Sequence, residues 1–495
     1  MCAACGAALA YYCLYPLYRS GTISIDAMLV LTFVPAGFLS LLWVLTSPPF
    51  MEDLPLRLTS LRLTAFTAGV AMGICVGAGA VQSVSFGIPE DAVEGVSGVL
   101  LDDPRIVSGG RAMTTLSLKM INGKGRVRVG SRGEVTVFFP AESALRLKEF
   151  GRGAEVFAEG TLRRSGGRNG SDGSPVLFAE SLHVTAPAPQ LDRFRTNLRL
   201  DMTYRFTESS FGDPAWGGLA LALLLGIRDN LDMNIAALYR DSGCSHILAL
   251  SGMHLAVLVA LISFLLKKPL GLRLAAICGA LIILAYCYIV GPLPSLNRAA
   301  LMYLLGVLAV LGMLKKDALL LLCMAFLMQI AMTPRAGLSL SFILSYLALA
   351  GILIIGESLN GIFKGKIPAA LLLSLSASVG AFLATAGVTA WFFGVLRPVG
   401  IVASLILTPL TTVFMVGSMA WLALNLISPP LSPLLSHPLS LLYKLMERTA
   451  FAASKMPGIK AHPVLVLTLS LLCVALILWY ERRNRLTIDR VEPFA

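Results

Sequence analysis

The sequence predicts a polytopic α-helical membrane protein with an inserted small all-β (OB-like) extramembrane domain. Three observations predict it. Hydrophobic residues make up 56% of the chain and charged ones only 14%, a balance that soluble domains do not show. Several apolar runs approach the roughly 20 residues that a helix needs to cross a bilayer. Between about residues 83 and 190 the hydrophobic period changes to two, which marks strands. The chain therefore divides into N-terminal transmembrane helices (1–82), the OB-like domain (83–190) and a second membrane region with interfacial helices (191–495).

Residues 3–18 form a short apolar segment, spanning or interfacial. Residues 26–46 span and stop at Ser47-Pro48-Pro49. Residues 61–81 span again, with Gly69, Gly73, Gly77 and Gly79 at the small-residue spacing that lets helices pack closely. The first residues are uncharged, so no cleavable secretory signal is expected.

In the inserted domain, Leu116, Leu118 and Met120 alternate with Thr115, Ser117 and Lys119, and Val135 and Val137 alternate with Glu134 and Thr136. Further strands are expected at 92–101, 126–129, 154–162 and 176–184, separated by Gly/Asn/Asp/Ser-rich turns. About five short strands in roughly a hundred residues suit a small barrel of the OB kind, or a compact sandwich. Two clusters are basic: Lys124, Arg126, Arg128 and Arg132, then Arg163, Arg164 and Arg168. On a single-strand-binding barrel they would track phosphates, with Phe138, Phe139, Phe157 and Phe178 as candidate stacking rings. A basic turn that faces headgroups or solvent is the plainer reading.

Residues 191–211 read as a charged amphipathic helix and 216–226 as an apolar helix too short to span. A polar helix then leads into RDSGCSHILALSGMHLAVLV (240–259), read as the start of a long apolar helix that carries Asp241, Gly243, His246, Ser251, Gly252 and His254. Polar groups at membrane depth either bond across to neighbouring helices or line a hydrophilic path. Ser251 and His254 stand three apart, and an intramembrane hydrolase would use such a pair, though no orienting acid or oxyanion donor accompanies it. Arg298 is the costliest intramembrane residue, expected to pair with a carboxylate such as Asp241 or to snorkel.

Lys267, Lys268 and Arg273 flank a turn, and spans follow at 274–290, 295–314, 317–332, 338–355 and 368–393. The run 400–424 is interrupted at Pro409, residues 434–456 read as an interfacial amphipathic helix, and 463–480 spans last, before Arg482, Arg483 and Arg485. If the basic loops are all cytoplasmic, the β domain lies outside. Consistency then requires the segment at Pro409 to be a re-entrant pair.

The nine cysteines mostly lie in apolar runs, and the CxxC of Cys2 and Cys5 has no partner pair. Neither a zinc-hydrolase motif nor a P-loop occurs, so no metal, cofactor or built-in ATPase is implied.

The run LLLGIRDNLDMNIAALYRDSGCSHILALSGMHLAVL resembles the signature of the ComEC family of DNA-internalisation competence proteins: Gly226 and Arg228, then Ser242, Gly243 and His246, then Ser251, Gly252 and His254. Pro294-Ser295 with Arg298-Ala299, and LSLSFILSYLALAGIL at 338–353, support it. Where the family often has asparagine before its xLLxxP run, Ser404 stands here. The resemblance is to a form without the C-terminal metallo-β-lactamase-like domain that many members carry. It implies a channel for single-stranded DNA in the bacterial cytoplasmic membrane, with Arg228, Asp241, Gly243, His246, Ser251, Gly252, His254 and Arg298 lining the path or packing it. Membrane lipids surround such a channel, and a separate nuclease, a DNA receptor and a cytoplasmic motor would serve it. A transporter for another polar or anionic solute and an intramembrane hydrolase are the alternatives.

Overall fold

A computed structural model describes residues 1–14, 65, 68–70, 72–74, 89–107, 110–123, 127–131, 133–143, 151–164, 175–208, 213–250, 252–313, 317–460 and 462–491. The spans expected at 26–46 and, for the most part, 61–81 lie outside these residues.

The inserted domain is a closed mixed sheet. Its strands are β1 (Val93–Leu100), β2 (Arg105–Val107), β3 (Arg111–Gly123), β4 (Val127–Gly130), β5 (Glu134–Pro140), β6 (Glu155–Arg164) and β7 (Pro175–Ala186). The order runs β1-β6-β7-β5-β3, and β3 pairs back with β1 to close the ring. All these pairings are antiparallel except β5–β7, which is parallel. The alternation holds for Leu116, Leu118, Val135 and Val137, which are buried. It fails at Met120, which is 39% exposed, while Ile121 is buried. A register shift opposite Ser97 and Gly98 inserts one residue into β3 and moves the next side chains to the other face. The interior holds Val96, Leu100, Leu116, Ile121, Val137, Phe139, Val156 and Leu177, each fully buried and each stabilising by about 1.5–3 kcal/mol.

Helix α1 (Cys2–Leu9) packs beside the helix Ala318–Met332, and just past each of them Tyr11 and Tyr12 donate to the carbonyls of Pro334 and Gly337. After the barrel, α2 (Gln190–Thr207) leads to a chain of short pieces: α3 (Pro214–Leu225), α4 (Met233–Asp241) and α5 (Ser245–Leu248). Six helices among the described residues are long and apolar enough to cross a membrane. They are α6 (Gly252–Val290), α7 (Pro294–Leu311), α9 (Leu340–Phe363), α10 (Ala369–Phe393), α11 (Val399–Ile427) and α13, apolar over Pro463–Glu481. The shorter α8 (Ala318–Met332) joins α7 to α9, with Asp317 capping its first turn through the amides of Leu319 and Leu320.

Helix α6 doubles back at Gly271, whose φ of +73° and ψ of +171° only glycine adopts readily. Pro269 precedes the bend, and the two arms, 252–270 and 272–290, lie side by side with Gly279 opposite Ile262. The turn flanked by Lys267, Lys268 and Arg273 is where the sequence places it.

The re-entrant break at Pro409 does not occur. α11 runs unbroken from Val399 to Ile427, because packed neighbours in a membrane bundle tolerate the one backbone bond that proline removes. Nor does the next helix lie alone in the interface. α12 (Pro433–Ser454) runs antiparallel along α11: Trp421 Nε1 donates to Ser436 Oγ at 2.8 Å, and Leu439 faces Gly417. The chain thereby returns to the foot of α11, where β8 (Val395–Leu396) pairs with β9 (Ile459–Lys460). The α11–α12 hairpin adds no net crossing, so the basic loops can share one side without a re-entrant pair at Pro409. The last helix, α13, packs against α10 with Leu467 at Gly387, so its far end lies beside the start of α10.

Candidate functional site

Between α3 and α6 the chain is broken three times in some 27 residues. Residues 240–259 are therefore not the start of one helix, as the apolar run suggests. α4 ends at Asp241, Gly243 turns the chain with φ +76°, α5 lasts four residues, and α6 begins at Gly252. Each break exposes carbonyls that no helix partner can satisfy, and unsatisfied carbonyls are costly at membrane depth.

Side chains from distant elements take up these carbonyls. Tyr286 donates to Leu224 O at 2.7 Å, and Arg199 Nη1 to Leu225 O at 3.2 Å. Arg397 Nη1 donates to Asp241 O at 2.5 Å, and Arg228 Nη2 to Leu248 O at 3.1 Å. Ser295 Oγ donates to Leu250 O at 2.5 Å. Two of the expected site residues thus acquire a physical task. Arg228 closes the end of α5, and Asp241 is held by Arg397, whose Nη2 also meets its Oδ1 at 3.1 Å.

The pairing of Arg298 with Asp241 is not formed. Arg298 is 8% exposed on α7, where Nη1 donates to Ser345 O and its Cζ lies 5.9 Å from the Tyr346 ring centroid. Tyr346 in turn donates to Gln329 Oε1 at 2.8 Å, and Gln329 donates to Pro294 O at 3.0 Å. Arg298 therefore knits the starts of α7 and α9 to the end of α8, while Asp241 lies nearer to Arg397 at the foot of α11.

Both glycines of the motif sit at close approaches. A Cβ on Gly243 would stand 2.9 Å from Arg397 O and 3.2 Å from Gly400 Cα. On Gly252 it would meet Arg298 Nη2 at 3.0 Å. Ser404 donates to Gly400 O at 2.5 Å and lies 3.8 Å from Cys244 Sγ. His254 is buried at 1% exposure, whereas Arg228, Ser245 and His246 are exposed. Ser251 lies outside the described residues, and with it the Ser251–His254 pairing.

The broken segment adjoins the barrel through α2. Arg195, 2% exposed, donates Nη1 and Nη2 to Asp103 at 3.0 and 2.8 Å, and Nε to Tyr288 O and Ile289 O at 2.9 and 3.0 Å. Arg199 reaches the same carboxylate at 3.4 Å while holding Leu225 O, Ile289 O and Val290 O. Burial alone would raise the Asp103 carboxyl, but Arg195 and then Arg199 outweigh it and hold it below the usual range. Burial brings Arg199 down to about 10, so it stays charged at neutral pH. Asp103, Arg195, Arg199, Arg397 and Gly400 were not singled out from sequence. The arginines of α2 looked like an ordinary charged helix face, and Arg397 falls between two apolar runs.

Of the basic clusters on the barrel, Arg128 and Arg163 are exposed and stand on β4 and β6. Lys124, Arg126, Arg132 and Arg168 lie outside the described residues, and of Arg164 only the backbone is described.

The competence protein family model matches residues 223–483, more than half of the chain, and the match opens inside α3 and takes in every break just described. The chain belongs to the competence protein family. It is 26% identical over 255 residues to an uncharacterized protein of Aquifex aeolicus, covering 51% of this chain and 59% of that one. It is 29% identical over 175 residues to ComE operon protein 3 of Bacillus subtilis, covering 34% of this chain and 22% of that one. The chain thus covers less than two thirds of either relative. No solved structure matches it. The competence family match excludes the barrel, which lies wholly before residue 223.

Proposed function

We propose that this competence protein is a channel that passes single-stranded DNA across the bacterial cytoplasmic membrane, with the barrel receiving the strand. One observation carries the proposal. The barrel is anchored through Asp103, Arg195 and Arg199 to the end of α3, where the broken segment begins, and to the end of α6. Irregular backbone at membrane depth persists only where protein buries it or where it borders water. Here the carbonyls are capped by protein, while Arg228, Ser245 and His246 remain exposed. In this reading those three face the strand, and Gly243, Gly252, His254 and Arg298 hold the surrounding helices.

The barrel's ring order, with one parallel pairing between β5 and β7, is the order of an OB-fold, which supports the receiving role. Its place relative to the charges supports an extracytoplasmic position. Asp103 docks on the residue-290 end of α6, whereas Lys267, Lys268 and Arg273 flank the bend at the opposite end. Lys364 and Lys366 follow α9 at that same far end, and the far half of α13 (Pro463–Val491) reaches it too, with 482–485 in its continuation. Basic ends read as cytoplasmic, which leaves the barrel outside. A separate motor would draw the strand inward, and a separate nuclease and DNA receptor would work outside.

The test is uptake of labelled DNA by a strain that lacks the gene, complemented with the wild-type chain or with His246→Ala or Arg228→Ala variants. Restored uptake with the wild type and at least tenfold less with the variants, at equal membrane abundance, is the expected result. Equal uptake without the gene overturns the proposal. Uptake of a small anion in place of DNA would assign the chain to solute transport.

A further inference from the structure

The outer face of a barrel strand is ordinarily polar, because it meets water. One patch here breaks that rule. Met113 of β3 pairs with Phe138 of β5, Phe138 with Phe178 of β7, and Phe178 with Thr161 of β6, so four strands place these residues in one row. Met113, Phe138 and Phe178 point away from the core, since their neighbours Ala112, Val137, Phe139 and Leu177 fill it, and Thr161 is exposed. The Phe138 and Phe178 rings are stacked, with centroids 5.5 Å apart and planes 16° from parallel. Both are only partly buried. Two exposed arginines flank them: Arg111 Cζ lies 5.5 Å and Arg163 Cζ 5.9 Å from the Phe178 centroid.

We propose that Phe138 and Phe178, flanked by Arg111 and Arg163, form a stacking platform for the bases of single-stranded nucleic acid. This rests on the strand-receiving role proposed above and names the surface that performs it. Stacking on an open ring face suits unpaired bases, whose faces are free, and excludes a duplex, whose faces are occupied by neighbouring pairs. It is indifferent to sequence because every base has such a face. The two guanidiniums supply the complementary charge, set beside the rings where a stacked nucleotide's phosphates run. The basic residues singled out from sequence include Arg163 but not Arg111, and the face that matters combines them across strands although they stand 52 residues apart in the chain.

The experiment uses the full chain in nanodiscs of uncharged lipid, with fluorescent oligothymidylate as probe. The wild type is expected to bind it and to bind the corresponding duplex at least tenfold more weakly. Phe138→Leu and Phe178→Leu keep the patch apolar and the barrel folded, and each is expected to weaken single-strand binding by roughly 5- to 100-fold, the worth of one base stack. Arg111→Gln and Arg163→Gln are each expected to lower the salt slope by about 0.7. In Phe178→Trp, quenching of the indole by bound oligothymidylate is expected. Wild-type binding that both leucine variants retain in full, with no quenching in Phe178→Trp, overturns the platform and leaves the receiving role standing. Failure of the wild type to bind single strands overturns both.

Discussion

Asp103 receives both terminal nitrogens of Arg195, and the same guanidinium donates its Nε to the last carbonyls of α6. A carboxylate in the barrel is thus joined to a helix end in the membrane region by a single side chain. The geometry uses what arginine has and lysine lacks, a planar fork with donors on two sides.

Removing the carboxylate leaves Arg195 buried with its charge uncompensated. Asp103→Ala should lower stability by about 3 kcal/mol, the size seen when one member of a buried pair is lost. The barrel should become easier to cleave from the helices in limited proteolysis, and Arg195→Lys should show most of the same effect. Equal protease resistance in wild type and both variants would refute this.

The same pair sets a pH limit. The folded carboxyl of Asp103 is held below its ordinary value of 3.8, so its contribution is present above that value. It is lost as the pH falls through the lower, folded value. Docking should therefore survive unchanged from pH 7 down to about 5 and weaken only near pH 4 and below. Protease sensitivity measured across pH, in wild type against Asp103→Asn, checks it, since the variant should show no such acid transition.

At the foot of α11, substitutions should separate backbone from charge. Arg397 meets the carbonyl of Asp241 as well as its carboxylate, and the pair is part-exposed, with side chains 27% and 40% accessible. Asp241→Asn should therefore cost under about 1 kcal/mol, because solvent screens the charge and the carbonyl bond remains. Arg397→Ala should cost more, since the end of α4 then loses its cap. Thermal unfolding of the two variants ranks them.

Gly243→Ala should be worse than either. It would force a side chain into the left-handed region and set a Cβ 2.9 Å from Arg397 O. A loss of about 2–4 kcal/mol is expected from strain and overlap together. Gly400→Ala, which meets Gly243 O at 2.9 Å without a left-handed φ, should cost about half as much. Melting temperatures in detergent decide the order.

The helix packing predicts an accessibility pattern. Cysteines placed at Lys268, Lys364 and Glu481 should label from one face of the membrane, and cysteines at Lys119 and His462 from the other. Labelling of Lys364 and Glu481 from opposite faces would contradict the antiparallel packing of α10 and α13.

Period and length made most of this architecture legible. Val135, Val137, Leu116 and Leu118 announced the strands, and Lys267, Lys268 and Arg273 announced the bend in α6. What stayed hidden depends on partners far away in the chain. Pro409 looked like a break because a local rule knows nothing of the neighbours that tolerate it. The polar positions of α12 showed that one face meets water, but not that Leu439, Tyr443 and Met446 bury the other against α11. The motif was legible as unusual, yet its chemistry was not. The signal was a polar, glycine-bearing stretch, and the answer lay in carbonyls, which every residue carries and no sequence pattern displays.

The little β8–β9 ladder fastens both feet of the α11–α12 hairpin together. A leaf clasped along one edge can swing only about that edge. Asp241 and Gly243 meet it at the clasp, through Arg397 and Gly400, and so lie where any swing has the least travel. Asn425 lies near the free tip and accepts from Arg205 of α2 at 3.1 Å. A tilt of the leaf would therefore be felt first by the helix that carries the barrel, and last by the family motif.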